Sequence, residues 1–222
     1  MDESGKTCLI FTNSPRIMLL IVISPENTVP FEHEIVRALF NEGLRFFHLR
    51  KPAFTKDDTK AYIKELPVEY LNRTSLHYHH SLAEEYSLGG IHYPAANIKD
   101  VDRTTHTNIL RTSFSAHSFQ ELSSVNKSVS YAFISPVFNS ISKQGYSANP
   151  ELKRLKDYKL SHHLHTPIIA LGGITEQDVE TAREMGFSGV AVLGSIWQFA
   201  DGKQSVKEIV SKFRALQTAC NQ

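Results

Sequence analysis

The sequence contains little cysteine and no long hydrophobic run. Of its 222 residues only two are cysteines, Cys8 and Cys220, and they lie near opposite ends of the chain. Cysteines so placed are typical of neither a disulfide framework nor a zinc ribbon, so we expect a protein of the reducing cytoplasm. The longest apolar run, 17–23, is too short to cross a membrane and precedes no small-residue cleavage site. It is predicted to be a buried strand.

Neither positive nor negative charge is in marked excess. The chain has 24 Lys and Arg residues against 23 Asp and Glu residues, a formal net charge of +1. This balance gives no electrostatic reason to expect nucleic acid or a membrane surface as a partner. A hydrophobic content of 41% predicts an ordered globular protein, and the sequence leaves homo-oligomer formation open.

From residue 19 onward, short β-branched or aromatic runs alternate with segments of helical periodicity. This alternation is typical of βα units on a parallel sheet. A dinucleotide-binding sheet would need a glycine-rich turn after its first strand, where this chain has Ser24, Pro25 and Glu26. We therefore predict an α/β fold, a (β/α)8 TIM barrel. Its strands are expected at 19–24, 46–49, 75–78, 90–92, 109–113, 129–134, 167–170 and 189–193.

One barrel domain is predicted over 18–217, because no linker or composition shift interrupts it. Residues 1–17 are expected to form an N-terminal extension or tail, and 218–222 a C-terminal tail. Helix starts are indicated where a Ser or Thr precedes an acid by three positions, the pattern of a capping box. The pattern occurs at Thr55 and Asp58, Ser81 and Glu84, Ser118 and Glu121, Thr175 and Asp178, and Ser205 and Glu208.

Two glycine-bearing turns follow the seventh and eighth predicted strands. They contain Gly172 and Gly173, and then Gly194 and Ser195. In a barrel these turns lie at the carboxyl ends of the strands, where active sites are found and where phosphate is commonly bound. Glycine lets the backbone approach a ligand, and the amides that follow can donate to phosphate oxygens. We expect a phosphate site here, although the glycines would also serve tight turns alone.

Basic and hydroxyl side chains follow strands two and six. Alternation places His48 and Arg50 on one side of strand two, and Arg50 can bind a pyrophosphate through two parallel hydrogen bonds. As a bare pattern, a basic pair at a strand end is more often a solvated ion pair. The loop after strand six carries Ser140, Ser142 and Lys143, which can also reach an anionic ligand.

Histidine is abundant, with 11 in the chain, and four of these group around strands three and four. A zinc site needs three converging ligands, whereas alternation would separate His77 and His79 from His80. The sequence therefore predicts partly buried or surface histidines, His92 among them, and we assign no metal-ligating residue. A surface position is also predicted for His162, His163 and His165.

In their order along the chain these motifs resemble the thiamine phosphate synthase superfamily, which includes the TenI-type thiazole tautomerases. The resemblance spans about 19–216. It rests on the basic segment of strand two, on Gly-Ile-His at 90–92 and on Ser-Ala-His-Ser at 115–118. It also rests on the hydroxyl and lysine loop at 135–143 and on the two glycine turns at 167–173 and 189–196.

The resemblance implies an enzyme of thiamine biosynthesis, a transferase that joins hydroxymethylpyrimidine pyrophosphate to thiazole phosphate and releases pyrophosphate. Its partners would be small phosphorylated heterocycles, and its catalytic residues would include Ser115, near the pyrimidine, and Lys143. The remaining matches are the thiazole phosphate site at Gly172, Gly173, Gly194 and Ser195, and the pyrophosphate site at Arg50, Ser140, Ser142 and Lys143.

The chain departs from the synthase pattern at the metal site. The family's Asn-Asp pair after strand three corresponds to His77 and Tyr78, and its second Mg²⁺-binding aspartate to Asn97. Mg²⁺ favours carboxylate oxygen, so we expect it, if used, only through the substrate pyrophosphate. The family's strand-two lysine corresponds to Pro52, with the adjacent Lys51 as a substitute.

Two alternatives stay open. A TenI-type tautomerase would need only proton transfer and no metal, and His48 or His117 would be its proton carrier. The histidine that serves this branch corresponds to Pro136. The second alternative is a non-catalytic homologue that binds thiazole phosphate.

Overall fold

Eight parallel strands close into a barrel in chain order in the computed structural model, which describes residues 17–95, 109–124, 129–139, 147–200 and 205–222. The final strand pairs with the first, which completes the ring and confirms the (β/α)8 prediction. The strands are β1 (Leu19–Ile23), β2 (Phe46–Leu49), β3 (Thr74–Leu76), β4 (Gly90–Tyr93), β5 (Arg111–Ala116), β6 (Tyr131–Ile134), β7 (Ile168–Leu171) and β8 (Gly189–Val192).

Helices surround this barrel and bury their apolar faces against it. A 3-10 helix, Pro150–Arg154, precedes the sixth α-helix. The α-helices of the described residues are α1 (Glu32–Asn41), α2 (Lys56–Glu65), α3 (Val68–Leu71), α4 (Ser81–Glu85), α5 (Phe119–Ser124), α6 (Leu155–Ser161), α7 (Asp178–Glu184), α8 (Gly194–Trp197) and α9 (Ser205–Asn221). None of them combines the length and the apolar character that a membrane crossing requires.

The chain's last helix corrects the predicted C-terminal tail. α9 continues to Asn221 and so includes all but the last residue of 218–222, where the tail was expected. Cys220 is buried, and its carbonyl accepts the Met18 N–H at 2.9 Å. The end of the chain is therefore held against the start of β1.

Helix starts agree only partly with the capping pattern. The box is complete at Thr55, whose Oγ1 accepts the Asp58 N–H at 3.1 Å while Asp58 Oδ2 accepts the Thr55 N–H at 3.0 Å. One of the two bonds is present at positions 118 and 175. The prediction is wrong for Ser81, because α4 is preceded by His80 and has no side-chain cap. The Ser205 side chain lies outside the described residues.

Strands β3 and β5 are displaced from their predicted limits. β3 ends at Leu76, so His77 and Tyr78 follow the strand and are not part of it. β5 continues to Ala116, because its pairing with β6 extends from Ser113 to Ala116. Ser115 therefore lies within β5, and its backbone is fixed by the pairing with β6.

The interior of the barrel is apolar on one side and polar on the other. The apolar side is a cluster built mainly by β1, β6, β7 and β8, with members such as Ile21, Phe133 and Ile169. On the other side His48 of β2, His92 of β4 and their neighbours are buried and hydrogen-bonded to one another. Most TIM-barrel interiors are filled by branched apolar residues, so this polar half requires a separate explanation.

Candidate functional site

A cavity of about 380 Å³ opens at the carboxyl ends of the strands, and we call it the strand-end cavity. It is lined by residues from strand ends or following loops around the whole barrel, from Ile23 at the end of β1 to Ser195 after β8. Barrel enzymes carry their active sites at this face. The position alone therefore marks it as the candidate active site.

Most of the predicted site residues meet here. The cavity is lined by Arg50, Ser115, His117, Gly172, Gly173, Gly194 and Ser195. His48 does not line it and is fully buried beneath it. Ser140, Ser142 and Lys143, like Asn97, lie outside the described residues.

Arg50 follows β2 and forms an ion pair at the cavity wall. Its Nη1 lies 2.7 Å from Oε1 of Glu26, and both side chains are partly exposed. The Arg50 N–H donates to Ser24 Oγ at 2.7 Å, and Ser24 Oγ donates to the Arg50 carbonyl at 3.1 Å, which fixes the backbone. Glu26 was not predicted. The ion-pair interpretation of the basic pattern is confirmed, and pyrophosphate binding by Arg50 in the cavity stays a prediction.

Lys51 is not available as a substitute cation. Its Nζ is buried, lies 2.7 Å from Glu32 Oε2 and donates to the Asn27 carbonyl at 3.0 Å. The Tyr62 hydroxyl donates to the other Glu32 oxygen at 2.8 Å. Burial lowers the pKa of the Lys51 ammonium, although its bond to Glu32 acts in the opposite direction. This side chain stabilises the layer between β2 and α1, and it is absent from the cavity lining.

The glycine turn after β7 serves both tight packing and the cavity. Gly172 and Gly173 have φ angles of +96° and +69°, which side chains disfavour. A Cβ on Gly173 would lie 2.2 Å from the Asn139 carbonyl oxygen. The turn is joined to the loop after β6, because the Phe138 N–H donates to the Gly172 carbonyl at 3.1 Å. The glycines are thus required by the tight turn and also line the cavity, where the phosphate site stays a prediction.

Ser195 supplies an unsatisfied hydroxyl at the cavity wall. Its Oγ is buried and has no hydrogen-bond partner among the described residues. Trp197, in the same short helix α8, donates from Nε1 to the Ile23 carbonyl at 2.6 Å and so anchors this helix to β1. A buried hydroxyl without a partner costs about 1–3 kcal/mol, so an acceptor entering the cavity here would recover this cost.

Ser115 is held by a buried histidine of β4. Its Oγ lies 2.9 Å from His92 Nε2, and the other ring nitrogen of His92 lies 2.9 Å from Ser113 Oγ. Burial lowers the pKa of His92 to about 3, so its ring is neutral at physiological pH. The ring thus donates one bond and accepts one, and it orients the Ser115 hydroxyl at the cavity.

A second series of buried hydrogen bonds includes His48. Its Nδ1 lies 2.9 Å from His77 Nε2, and its Nε2 lies 2.7 Å from the Tyr131 hydroxyl. Burial lowers the pKa of His48 and of His77 well below the usual histidine value, and the neighbouring His92 lowers both further. His77 lines the cavity, whereas His48 reaches it only through His77.

The position of these histidines corrects the sequence analysis. His77 and His92 are buried inside the barrel, not partly buried or on the surface, and they converge with His48. Strand alternation did not apply to His77, because β3 ends one residue before it. His162, His163 and His165 are exposed, as predicted.

His117 lies at the mouth of the cavity, just after β5. Its side chain is exposed, with Nδ1 3.2 Å from the Ser135 carbonyl oxygen. Its backbone N–H donates to Glu121 Oε2 at 2.6 Å. Pro136 also lines the cavity.

Comparisons with known proteins show the family to which the chain is similar. The family model described as thiamine monophosphate synthase matches residues 19–196. The thiamine-phosphate synthase of Dictyoglomus thermophilum is 24% identical over 192 residues, 80% of this chain and 81% of that protein. The crystal structure of thiamine phosphate pyrophosphorylase from Bacteroides thetaiotaomicron is 29% identical, with a TM-score of 0.75 over 91% of this chain and 97% of that one.

Proposed function

The chain belongs to the thiamine monophosphate synthase family, and we propose that it is a transferase of thiamine biosynthesis that joins hydroxymethylpyrimidine pyrophosphate to thiazole phosphate in the strand-end cavity. The observation that carries this proposal is that the two regions predicted to bind anions line one cavity. Arg50 lies in its wall, and so do the glycine turns with the unsatisfied Ser195 hydroxyl. Two phosphorylated substrates could thus be held in the same space.

The glycine turns are the proposed seat of the thiazole phosphate. The amides after Gly172, Gly173 and Gly194 can donate to phosphate oxygens, and Ser195 Oγ can add a hydroxyl donor. The Ser195 hydroxyl has no partner among the described residues, so a hydrogen bond to a bound phosphate would satisfy it.

Arg50 is the proposed ligand of the pyrophosphate. In the reaction the bond between the pyrimidine methylene carbon and the pyrophosphate oxygen breaks, and the thiazole nitrogen forms a bond to the same carbon. The departing pyrophosphate gains negative charge, so stabilisation by fixed donors is the main requirement. Arg50 uses one of its five donors on Glu26, and the others can bind pyrophosphate oxygens.

The remaining groups are assigned by the family resemblance. Ser115 is proposed to bind the pyrimidine, with His92 as the residue that orients its hydroxyl. Ser140, Ser142 and Lys143 are proposed to complete the pyrophosphate site. They lie outside the described residues.

The described residues do not form a carboxylate site for Mg²⁺. His77 and Tyr78 follow β3 in place of the family's Asn-Asp pair. Glu26 is the one carboxylate among the described cavity-lining residues, and it is engaged by Arg50. We therefore propose that Mg²⁺ arrives on the substrate pyrophosphate, and we assign no step to it.

The family relatives reported above carry the names of synthases, which favours the synthase over a TenI-type tautomerase or a non-catalytic binder. His48, one of the two proton carriers expected for a tautomerase, does not line the cavity.

The test is direct synthesis by the full chain. The protein is mixed with hydroxymethylpyrimidine pyrophosphate, thiazole phosphate and Mg²⁺, and thiamine phosphate is followed by its oxidation to fluorescent thiochrome. We expect product that disappears in chelator. Stabilisation by thiazole phosphate without product would instead support a binder, and isomerisation of thiazole carboxylate phosphate in chelator would support a tautomerase.

A further inference from the structure

Three imidazoles occupy the polar half of the barrel interior. His48, His77 and His92, called here the histidine cluster, expose 0%, 9% and 1% of their surface. Buried polar rings cost free energy unless each nitrogen has a partner, and apolar side chains would fill the same space without that cost. The cluster therefore points to a use for its nitrogens.

One ring nitrogen from each member lies within 4.8 Å of the other two. A zinc–nitrogen distance of about 2.0–2.1 Å places neighbouring ligands of a tetrahedral ion about 3.3 Å apart. His48 Nδ1 and His77 Nε2, at 2.9 Å, are already near this spacing. The His92 ring stacks on His77 with centroids 4.1 Å apart and 24° between the planes, so it must turn for its lone pair to converge.

His48 and His92 also have the outer hydrogen bonds that metal-bound histidines use. A ligating histidine normally binds a partner through its other nitrogen, which fixes ring orientation. His48 Nε2 has the Tyr131 hydroxyl at 2.7 Å. Either nitrogen of His92 can ligate, because the other would keep a serine hydroxyl at 2.9 Å.

The fourth position of such an ion would face the strand-end cavity. His77 and His92 line this cavity, next to Ser115 and Arg50, while His48 lies beneath them. The three ligands are uncharged rings and bring no negative charge. The charge of a divalent ion would therefore have to be balanced by an anion, and the anion that the proposed function brings to this cavity is a phosphate group.

We propose that the histidine cluster binds a borderline divalent cation such as Zn²⁺ or Co²⁺, whose fourth ligand is an oxygen of a phosphate group in the strand-end cavity. This rests on the proposed function only for the identity of that fourth ligand. Imidazole suits these ions, whereas Mg²⁺ prefers oxygen. The ion would occupy the side of the cavity where His77 and Tyr78 follow β3 in place of the family's Asn-Asp pair.

The site is tested with Co²⁺ and the full chain after treatment with chelator and its removal. We expect one Co²⁺ per chain, with the visible absorption of a four-coordinate ion. His48→Gln and His92→Gln should weaken Co²⁺ affinity at least tenfold, and Tyr131→Phe, which keeps all three ligands, about tenfold or more. His165→Gln, which replaces an exposed histidine, is the matched control and should bind Co²⁺ unchanged.

Inorganic phosphate is the probe for the fourth ligand. It should shift the Co²⁺ spectrum and raise Co²⁺ affinity, and by linkage Co²⁺ should raise phosphate affinity by the same factor. Absence of stoichiometric binding, or binding lost equally in His165→Gln, would overturn the site and leave a hydrogen-bonded core. Circular dichroism of each variant separates loss of Co²⁺ binding from loss of fold. If the His48 variant does not fold, the Co²⁺ affinity of Tyr131→Phe provides the test instead.

The thiochrome assay keeps the two proposals separate. Thiamine phosphate formation with Mg²⁺ in a chain that does not bind Co²⁺ would overturn the metal site alone. Co²⁺ binding by a chain that forms no thiamine phosphate would overturn the proposed function and leave the metal site standing.

Discussion

Glu26 competes for Arg50 with any anion that enters the cavity, because its carboxylate is already paired with the guanidinium at 2.7 Å. We predict that Arg50→Gln lowers kcat/KM for the pyrophosphate substrate about 10- to 100-fold, as expected for loss of a charge-assisted bond. Glu26→Gln should act in the opposite direction on binding, since it removes the competing carboxylate. Calorimetric titration with inorganic pyrophosphate should give weaker binding for the first variant and tighter binding for the second.

The control for this pair is Arg37→Gln, which removes an exposed arginine of α1. It changes the net charge as much as Arg50→Gln does. Equal losses of pyrophosphate affinity in the two arginine variants would show that the general charge, not the Arg50 contact, binds the anion.

Cys220 is a second residue whose behaviour follows from its surroundings. Burial raises the pKa of its thiol to about 11, and only 1% of its surface is exposed. The thiolate is the reactive form, so we predict that Cys220 resists alkylation in the folded protein. Mass spectrometry after iodoacetamide treatment of a Cys8→Ser variant should show no label at neutral pH and full label in urea. Rapid labelling without urea would mean that the end of α9 opens in solution.

At the scale of elements, a buried ion pair joins the end of β2 to α1. Lys51 and Glu32 are both 3% exposed and are 2.7 Å apart. Removal of one partner of a buried pair leaves the other charge uncompensated, so we predict that Glu32→Gln lowers the free energy of unfolding by about 3–5 kcal/mol. Urea unfolding provides the measurement.

A surface pair in the same chain supplies the comparison for Glu32. Arg214 of α9 contacts Glu42 after α1, with 63% and 27% of the two side chains exposed. Glu42→Gln should lower the free energy of unfolding much less than Glu32→Gln does, because exposed pairs contribute little. Similar costs for the two variants would mean that burial does not decide the strength of the inner pair.

For the whole molecule, the three buried histidines predict a loss of stability in acid. Burial lowers their pKa in the folded protein, to about 3 for His92, so the unfolded chain binds more protons below pH 6.5. Stability is therefore fully present above about pH 6.5 and falls as the pH drops toward the folded pKa values. Each histidine that stays neutral down to about pH 5 contributes about 2 kcal/mol to this fall.

Urea unfolding in chelator, at about pH 7.5 and about pH 5, measures this dependence. His92→Gln should reduce the difference between the two pH values by about 2 kcal/mol, whereas the exposed control His165→Gln should leave it unchanged. A pH dependence that survives in His92→Gln would assign the effect to other groups.

Local patterns in the sequence predicted the barrel, and most of the site residues predicted from the sequence line the cavity. When strands that alternate with helices pair in parallel, only a few topologies are possible. In a closed barrel of this kind, the carboxyl ends of all the strands lie on one face. This is why Arg50 and the glycine turns could be assigned to one face before their distances were known, whereas Ser115 was assigned by the family resemblance. The pyrophosphate-binding roles of Ser140, Ser142 and Lys143 remain predictions from the sequence.

Strand pairing and burial decided the contacts of the individual side chains, because these contacts depend on where strands end and which side chains meet. The sequence placed Lys51 next to Arg50, but only packing against α1 turned its ammonium to Glu32 and away from the cavity. The convergence of His48, His77 and His92 joins positions up to 44 apart in the chain, and no local spacing indicates it. The sequence by itself thus determined the fold and the face that carries the site. The tertiary structure decided which charges are free to act there, since a side chain's charge and hydrogen bonds are set by its neighbours in space.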